Sequence, residues 1–474
     1  MTQATLPRVV IAGTSSGAGK TTVACGLIGA LRARGRIVQG YKVGPDYIDP
    51  SYHALASGRP GRNLDAFLSG PELIAPLVRH GERGADVAVV EGVMGLFDGA
   101  SGRGELASTA HVAKLLDAPV LLVVDAASMA RSAAAIVHGY RTFDPDVQVA
   151  GVIFNRVGSD HHEQLLREAL RDLGVPVLGA LRRDDGVATP ERHLGLVPAS
   201  EREAQARAAL ATLAAAAARY IDLDAVERLA RSAPPHDGPA WSPEPAGGAV
   251  AGARIAVASG PAFSFHYREN LEQLEAAGAE LQPFDPLRDE ALPEDAGALI
   301  LAGGFPEVFV GDLEANDQLR AEITAFARSG RPVVAECGGL LYLAAELDGR
   351  PMCGVLPVRA TMTRKLTLGY REATAITATP WLEAGEQVRG HEFHYAQVES
   401  LQPARHLGPD PARRGLTPSG GGSAWRLAAR GSEREEGFVS GALQASFLHV
   451  HWAAFPQCAE RLVHAAVVEP SRVA

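Results

Sequence analysis

VVIAGTSSGAGKTT, residues 9–22, decides the fold of the N-terminal half of this chain. The apolar residues predict a buried β-strand, and the small residues after them predict a tight turn into a helix. In such a turn, backbone N–H groups and the helix N-terminus converge on phosphate oxygens. Lys20 can reach the β- and γ-phosphates of a nucleotide, and the hydroxyl of Thr21 can bind Mg²⁺. The other residues of this predicted nucleotide site are Gly13, Thr14, Ser16, Gly17, Gly19 and Thr22.

The spacing of this phosphate loop departs from the usual pattern, which has glycine where this chain has Thr14. The strand–turn–helix context compensates for the departure, because it still directs backbone N–H groups at the phosphates. Switch-type ATPases of the partitioning class carry a signature lysine early in the loop, and Ser15 occupies that position here. The loop therefore indicates nucleotide binding and argues against such a switch.

The composition is that of a globular protein, with 474 residues, 46% of them hydrophobic and 21% charged. The formal net charge of −10 argues against general affinity for nucleic acid or for an anionic membrane surface. The four cysteines form no CxxC pair, which fits a reducing cytosol and predicts a cytoplasmic protein. We expect no signal peptide, because the N-terminus runs straight into a predicted strand and turn. We expect no membrane helix, because no apolar run reaches the roughly 20 residues that a span needs.

Two α/β units are predicted, because short apolar strands alternate with helical stretches on both sides of a Pro/Gly/Ala-rich segment. The predicted limits are 1–231, a linker at 232–253, and 254–474. Each unit should be a doubly wound parallel sheet. The strand candidates are Val9–Ala12, Val87–Val90, Val120–Val124 and Val149–Phe154 in the first unit, and Ile255–Ala258, Ala298–Leu301 and Pro332–Ala335 in the second. The glycine-rich residues 407–437 predict an irregular loop or insertion.

Carboxylates follow the predicted second strand in YKVGPDYIDPSYH, residues 41–53. Asp46 and Asp49 suit Mg²⁺ ligation or substrate orientation, although solvated carboxylates in a Pro/Asp turn would give the same spacing. Pro45 and Pro50 predict a fixed loop here rather than a helix. Lys42 is a candidate for binding an acidic substrate, as is Arg59 further along the chain.

Two further strand ends carry polar side chains. Glu91 follows four apolar residues in VAVVEGVMGLFDG, residues 87–99, which places it at the ligand-facing edge of an open α/β sheet. It is a candidate for Mg²⁺ binding or catalysis. Asp98 should lie on the same rim, where a capping or loop role is an equal alternative. Asn155 could read an adenine edge or serve a structural turn.

A second reactive centre is predicted in PVVAECGGLLYL, residues 332–343. A buried strand runs into Cys337 and then into a helix, which is the geometry of a nucleophile elbow. We expect the helix N-terminus to lower the pKa of the thiol, whereas an isolated cysteine is more often buried and inert. Gly338 and Gly339 keep Cβ atoms away from a substrate.

The base and the oxyanion site for this cysteine come from two other segments. ASFLHVHWAAFP supplies His449 and His451, which face the same side of an extended segment. His449 is the predicted base, with His451 as its support. The strand in LILAGGFPEVF ends at Gly303 and Gly304, whose backbone N–H groups are suited to an oxyanion hole.

The elbow, the GGFPE segment and the late histidine together resemble class I glutamine amidotransferases. In the common form of that family, a glutamate follows two residues after the histidine, where this chain has His451. The partner that orients His449 is therefore open, and the departure resembles the cobyrinic-type branch of the family.

The whole chain is similar to a narrower family. Its lengthened phosphate loop resembles that of dethiobiotin synthetase. In order, GTSSGAGKTT, KVGPDYIDP, VVEGVMGLFDG, AECGGL, RGHEFHYA and HVHW resemble cobyrinic and hydrogenobyrinic acid a,c-diamide synthases. Cobyric acid synthases fit less well, because KVGPDYIDP marks the diamide branch. The resemblance maps to the synthetase site Asp46, Tyr47, Ile48, Asp49, Glu91 and Asp98. It also maps His391, Glu392 and His394 to a signature without a derived role.

The resemblance implies a ligase that uses ATP, Mg²⁺ and L-glutamine to amidate the a and c acetates of a corrinoid acid in cobalamin biosynthesis, through acyl phosphates. Cys337, His449, Glu91, Asp46 and Asp49 would be catalytic, with Thr21, Asp46 and Glu91 on the metal. Two alternatives are a nickel-sirohydrochlorin a,c-diamide synthase and a nucleotide-dependent switch with an inactive amidotransferase-like domain. The sequence leaves open whether the corrinoid holds cobalt, the order of amidation and the oligomeric state, with a homodimer compatible.

Overall fold

The computed structural model describes residues 6–183, 191–192, 195–196, 198–245, 247–401, 422–429 and 432–467. The chain forms two compact units, Met1–Ser242 and Pro243–Ala474. The limits 1–231, 232–253 and 254–474 stay a prediction. Within the predicted linker, Trp241 is buried in the first unit, where its ring meets that of His80 edge-on at 4.9 Å.

The first unit contains a seven-stranded parallel sheet. Its strands are β1 (Arg8–Gly13), β2 (Val38–Val43), β3 (Arg62–Leu64), β4 (Val87–Glu91), β5 (Val120–Asp125), β6 (Val149–Val157) and β7 (Val177–Arg182). They lie in the order β3-β2-β4-β1-β5-β6-β7. A short hairpin, β8 (Glu191–Arg192) and β9 (Gly195–Leu196), follows.

Helices alternate with these strands along the chain. They are α1 (Lys20–Ala33), α2 (Ile48–Ser57), α3 (Pro71–Gly81), α4 (Thr109–Leu115), α5 (Ser132–Phe143), α6 (Asp160–Leu170), α7 (Glu203–Tyr220) and α8 (Leu223–Arg231). Every residue of β1 and β2 is buried, as parallel strands covered on both faces require. The predicted doubly wound sheet is confirmed, and its four strand candidates lie within β1, β4, β5 and β6.

The predicted loop around Pro50 is wrong from Ile48 onward, because α2 begins there. Proline is tolerated in the first turn of a helix, where its missing N–H would have no intrahelical partner. Asp46 stabilises this helix start, since its Oδ1 accepts hydrogen bonds from the backbone N–H groups of Ile48 at 2.7 Å and Asp49 at 3.0 Å. Asp49 therefore lies on a helix rather than in a loop.

The second unit contains two larger sheets. Its strands are β10 (Ala253–Ala258), β11 (Ala279–Phe284), β12 (Ala298–Leu301), β13 (Val333–Glu336), β14 (Ala344–Leu347), β15 (Arg350–Pro351), β16 (Leu356–Ala375), β17 (Gln387–Ser400), β18 (Trp425–Ala429), β19 (Ser432–Glu436), β20 (Phe438–Ser440), β21 (Leu443–Ser446) and β22 (His449–Val450). Its helices are α9 (Arg268–Ala276), α10 (Val310–Ala315), α11 (Asp317–Arg328), α12 (Gly338–Leu343) and α13 (Pro456–Val467).

The predicted parallel sheet of this unit has the order β11-β10-β12-β13-β21-β20, with only the β20–β21 pair antiparallel among its described strands. The other sheet, β15-β14-β16-β17-β22 with β18 and β19 attached to β16, was not predicted. Its longest ladder joins β16 and β17 in antiparallel register. This ladder carries the GHEFHY segment, whose first two residues, Gly390 and His391, pair with β22.

The irregular loop predicted at 407–437 is wrong where the structure describes it, because β18 and β19 pair there as antiparallel strands. Trp425 and Leu427 are buried and alternate with exposed Arg426, which is the period of a strand. The sequence-based prediction favoured a loop because of the many glycines nearby, although this short alternation indicates a strand. Residues 407–421 and 430–431 lie outside the described residues.

Candidate active sites

The phosphate loop lies between β1 and α1 in the first unit. Gly17 and Gly19 adopt left-handed backbone angles, with φ of 75° and 101°. A Cβ atom on Gly19 would lie 2.0 Å from Nδ2 of Asn155, so only glycine fits there. Ser16 and Gly17 are exposed at the rim, while Gly13, Thr14, Thr21 and Thr22 are buried or half-buried around it. The loop thus presents backbone to solvent where a phosphate would bind.

Asn155 holds this loop through a hydrogen bond to its backbone. Its Nδ2 donates to the carbonyl of Ala18 at 3.0 Å, and its Oδ1 accepts from the N–H of Arg156 at 3.0 Å. This is the structural role that the sequence left open. Reading of an adenine edge stays a prediction.

Lys20 is held across the loop by two carbonyl oxygens. Its Nζ donates to Ser15 at 3.0 Å and to Met94 at 2.6 Å. Burial, together with the positive charge of Lys42, lowers the pKa of Lys20 to about 8. The ammonium is therefore poorly hydrated and is placed where an incoming phosphate would meet it.

The carboxylate of Glu91 is completely buried at the end of β4. Its Oε1 accepts from Thr21 Oγ1 at 2.6 Å and from Lys42 Nζ at 2.8 Å. Its Oε2 lies 2.7 Å from His53 Nε2. Asp49 Oδ2 lies 2.6 Å from Lys42 Nζ and 3.4 Å from Thr21 Oγ1. These five side chains join β2, α2 and β4 to the first turn of α1.

Opposite charges decide the ionisation of this cluster. Burial alone would raise the pKa of Glu91, but the charge of Lys42 and the hydrogen bond to His53 lower it well below its ordinary value. Burial alone would lower the pKa of Lys42, but the negative charges of Asp49 and Glu91 raise it above its ordinary value. Glu91 and Lys42 are therefore ionised, whereas burial and the negative charges of Asp46 and Glu91 raise the pKa of Asp49 well above its ordinary value.

The donor set around Thr21 fits Mg²⁺. A hydroxyl and the carboxylates of Glu91 and Asp49 converge there, and Mg²⁺ is usually held by one or two carboxylates together with water and phosphate oxygens. Across the described ranges, no group of three or more His, Cys, Asp or Glu side chains forms a metal site of its own. Asp46 uses Oδ1 at the start of α2, and its role as a metal ligand stays a prediction.

The other predicted residues of this site have separate surroundings. Tyr47 directly precedes α2, whose first residue is the buried Ile48. Asp98 is exposed, and its Oδ2 accepts from the N–H of Gly95 at 2.9 Å, which is the turn role left open by the sequence. Arg59 is held within the protein, because its Nε donates to Gln39 Oε1 at 2.9 Å.

Cys337 forms the predicted elbow between β13 and α12 in the second unit. Its backbone adopts φ 47° and ψ −99°, a strained conformation for a residue with a side chain. Its N–H donates to the carbonyl of Ser446 at 2.7 Å, which anchors the elbow to β21. Its Sγ lies 4.0 Å from the carbonyl oxygen of Phe393 on β17.

The expected lowering of the thiol pKa is wrong. Burial raises the pKa of Cys337 well above its ordinary value, and the negative charge of Glu307 adds to this. The backbone hydrogen bond from Gly338 acts in the expected direction but is outweighed. The resting thiol is therefore protonated, so a nucleophilic role requires a base in contact with it.

The three predicted parts of this centre meet at glycine residues. A Cβ atom on Gly303 would lie 2.5 Å from Cε1 of His449, and one on Gly338 would lie 3.0 Å from the backbone N of Gly304. The Gly303–Gly304 backbone therefore touches both the elbow and the candidate base. This is the place where an oxyanion would need N–H donors.

The two histidines of the HVHW segment face different carboxylates. His449 Nδ1 lies 3.3 Å from Oε2 of Glu336. His451 Nε2 lies 3.5 Å from Oε2 of Glu269, and its ring lies 4.7 Å from that of Tyr267. His451 therefore serves a buried cluster at α9, rather than the supporting role predicted for it.

The signature on β17 borders the same centre. The ring of His391 lies 5.6 Å from that of His449, and His394 stacks on Phe447 at 3.8 Å. Burial would raise the pKa of Glu392, but the hydrogen bond from His394 and the charge of Arg434 lower it to about 2. Glu392 and His394 line a cavity of about 380 Å³.

Sequence reasoning gave no role to His53 or Glu336. Asp49 and His53 are four residues apart, so a helix places them on one face, but the predicted loop concealed this. Glu336 adjoins the nucleophile candidate in sequence, yet its contact with His449 spans 113 residues and depends on the fold. No local pattern would have found that contact.

Comparisons with known proteins match both units. Residues 9–197 match the CobQ/CobB/MinD/ParA nucleotide binding domain, and residues 254–457 match the CobB/CobQ-like glutamine amidotransferase domain. Hydrogenobyrinate a,c-diamide synthase of Streptomyces coelicolor is 52% identical over 97% of both chains. That of Thermobifida fusca is 50% identical over 98% of this chain and 97% of its own. Cobyrinate a,c-diamide synthase of Syntrophotalea carbinolica is 45% identical over 96% of this chain and 98% of its own.

No helix in the described part of the chain combines the length and apolar character that a membrane span requires.

Glu436, beside the elbow, gives a pH-dependent prediction. Burial, aided by the charge of Glu392, raises its pKa to about 7. The folded protein thus favours the protonated carboxyl, and this contribution to stability is complete below about pH 4.5 and is lost as pH rises through 7. Glu436→Gln removes the ionisation. We subtract the melting temperature of wild type from that of the variant, and we expect this difference to be several degrees larger at pH 8.5 than at pH 5.

Thermal melts at both pH values measure this difference, with Glu433→Gln on exposed β19 as the control. A difference between variant and wild type that is the same at both pH values would contradict the prediction.

Proposed function

The chain belongs to the family of hydrogenobyrinate and cobyrinate a,c-diamide synthases, and from this membership we propose that it amidates the a and c acetates of hydrogenobyrinic or cobyrinic acid. ATP would supply the energy and L-glutamine the ammonia, in cobalamin biosynthesis. The observation that supports the proposal is that each unit brings candidate catalytic residues close together. In the first unit, Thr21 donates to Glu91, and the neighbouring Lys20 lies across the phosphate loop. In the second unit, Gly303 lies against His449, and Gly304 lies against Gly338, which follows Cys337.

The first unit would activate the substrate. A carboxylate is a poor acylating agent because its leaving group would be oxide, whereas an acyl phosphate releases phosphate. The substrate carboxylate would attack the γ-phosphorus of ATP, and Lys20 would stabilise the charge on the transferred phosphoryl group. Mg²⁺ bound with the nucleotide would neutralise phosphate charge, and Thr21, Glu91 and Asp49 are the residues that would hold it. Ammonia would then displace phosphate and leave the amide.

The second unit would release the ammonia. The sulfur of Cys337 would attack the side-chain amide of glutamine while His449 takes the thiol proton, which the raised pKa of the thiol makes necessary. The N–H groups of Gly303 and Gly304 would stabilise the oxyanion. His449 would return the proton to the departing nitrogen, and water would hydrolyse the glutamyl thioester.

By resemblance, Tyr47, Ile48 and Asp98 are proposed to contact the substrate. The homodimer, the cytoplasmic location and the absence of a nucleic-acid or membrane partner stay predictions. A nickel-sirohydrochlorin synthase would share these centres. A nucleotide switch with an inactive second domain would have no need of Cys337 at a strained elbow, or of a Gly303–Gly304 backbone that lies against both that elbow and His449.

The choice of tetrapyrrole can be tested with the purified protein. We expect hydrogenobyrinic or cobyrinic acid, incubated separately with ATP, Mg²⁺ and glutamine, to gain two amides by mass spectrometry. Nickel-sirohydrochlorin should remain unchanged under the same conditions. Amidation of nickel-sirohydrochlorin alone would reject the corrinoid assignment, and failure to hydrolyse glutamine would reject the ligase.

Cys337→Ser should abolish amidation with glutamine while amidation with ammonium chloride continues, because only ammonia release needs the thiolate. Product formation with each nitrogen source measures the separation of the two centres. Cys458→Ser, at another buried cysteine of the same unit, is the control and should retain glutamine use. Retained glutamine use in Cys337→Ser would contradict the assignment of the nucleophile.

Glu91→Gln should lower amidation with either nitrogen source by at least about 100-fold, because the variant loses a carboxylate that would hold Mg²⁺ beside the phosphates. Basal glutamine hydrolysis should persist. Glu203→Gln, which changes an exposed carboxylate on α7, should behave as wild type in both assays. Unchanged amidation in Glu91→Gln would remove Glu91 from the proposed site.

A further inference from the structure

Common class I amidotransferases carry a carboxylate two residues after the catalytic histidine, and this chain has His451 there. The side chain of His451 faces Glu269 and the backbone of Ala453. It is 1% exposed, its Nε2 faces Glu269 at 3.5 Å, and its Nδ1 accepts from the N–H of Ala453 at 3.4 Å. The carboxylate that serves His449 must therefore be sought in another segment.

Glu336 supplies a carboxylate at the right atom. Its Oε2 lies 3.3 Å from Nδ1 of His449, within the reach of an N–H donor. The imidazole of His449 is 1% exposed, and the side chain of Glu336 is 18% exposed. A carboxylate at Nδ1 fixes the tautomer that leaves Nε2 to exchange a proton, and it stabilises the imidazolium that results.

The backbone fixes this contact on both sides. Glu336 ends β13 and directly precedes Cys337, so the nucleophile and the carboxylate share one strand end. Glu336 is in register with Ser446 on β21, three residues before His449. The close approach of Gly303 to Cε1 of His449 limits where the ring can move.

His391 is another polar group that faces the ring of His449, at 5.6 Å between ring centroids. Burial lowers the pKa of His391 well below its ordinary value, and the charge of His449 adds to this. A neutral imidazole offers no negative charge to a neighbouring imidazolium. His391 therefore does not replace the missing carboxylate.

We propose that Glu336 is the positioning residue of His449, in place of the carboxylate that the common form carries at the position of His451. The inference rests on the proposed glutaminase activity, which it deepens. Glu336 acts through His449 and makes no bond to glutamine, so its loss should affect turnover rather than substrate binding.

The test measures steady-state glutamine hydrolysis in Glu336→Gln, Glu336→Ala and Glu336→Asp. We expect kcat to fall about 10- to 100-fold in the Gln and Ala variants, a part of the 10²–10⁴-fold that a positioned acid–base group supplies. KM for glutamine should stay within about threefold of wild type. The Asp variant should recover part of kcat. Amidation with ammonium chloride should be unchanged, which reports that each variant is folded.

Glu269→Gln is the matched control, because it removes a buried carboxylate that faces the other histidine. It should lower the melting temperature and leave kcat within about threefold of wild type. A kcat loss in Glu269→Gln equal to that in Glu336→Gln would overturn the inference in favour of the His451 pair.

An unchanged kcat in Glu336→Ala would also overturn the inference. A raised KM with unchanged kcat would do so as well, because it would place Glu336 on glutamine. Absence of glutamine hydrolysis by the unaltered chain would instead refute the proposed function, and this inference with it.

Discussion

The buried carboxylate of Glu91 has to be compensated, and the side chains that compensate it build the first reactive centre. An unpaired charge in a protein interior costs about 3–5 kcal/mol when its partner is lost. Lys42, His53 and Thr21 supply three partners from β2, α2 and α1. Because Thr21 belongs to the phosphate loop, the same interaction ties the loop to the sheet edge. The geometry of the nucleotide site is thus a consequence of satisfying one carboxylate.

The second unit depends on backbone proximity instead. Cys337 occupies a strained turn, and the glycines at positions 303 and 338 allow three segments to approach more closely than side chains would permit. The thiol is buried and protonated in this arrangement. In the proposed mechanism its reactivity depends on His449, whose Nδ1 faces Glu336 on the strand that leads into the thiol.

Local pattern was sufficient for both parallel sheets, the phosphate loop, the elbow and the candidate base. It failed where two signals competed. Pro50 was given too much weight against a helix, although a first-turn proline costs little. Glycines around β18 hid the alternation of Trp425 and Leu427. The helix effect expected at Cys337 was outweighed by burial, which depends on residues far away in sequence.

The sequence by itself determined the family, the fold class and the residues with reactive groups, because apolar periodicity and short motifs are local properties of a chain. Only the tertiary structure decided which reactive groups meet. In the folded chain, Lys42 and His53 contact Glu91. His451 faces Glu269, and Glu336 contacts His449, which lies 113 residues away in sequence. Such contacts arise from strand order and register, which no single segment encodes.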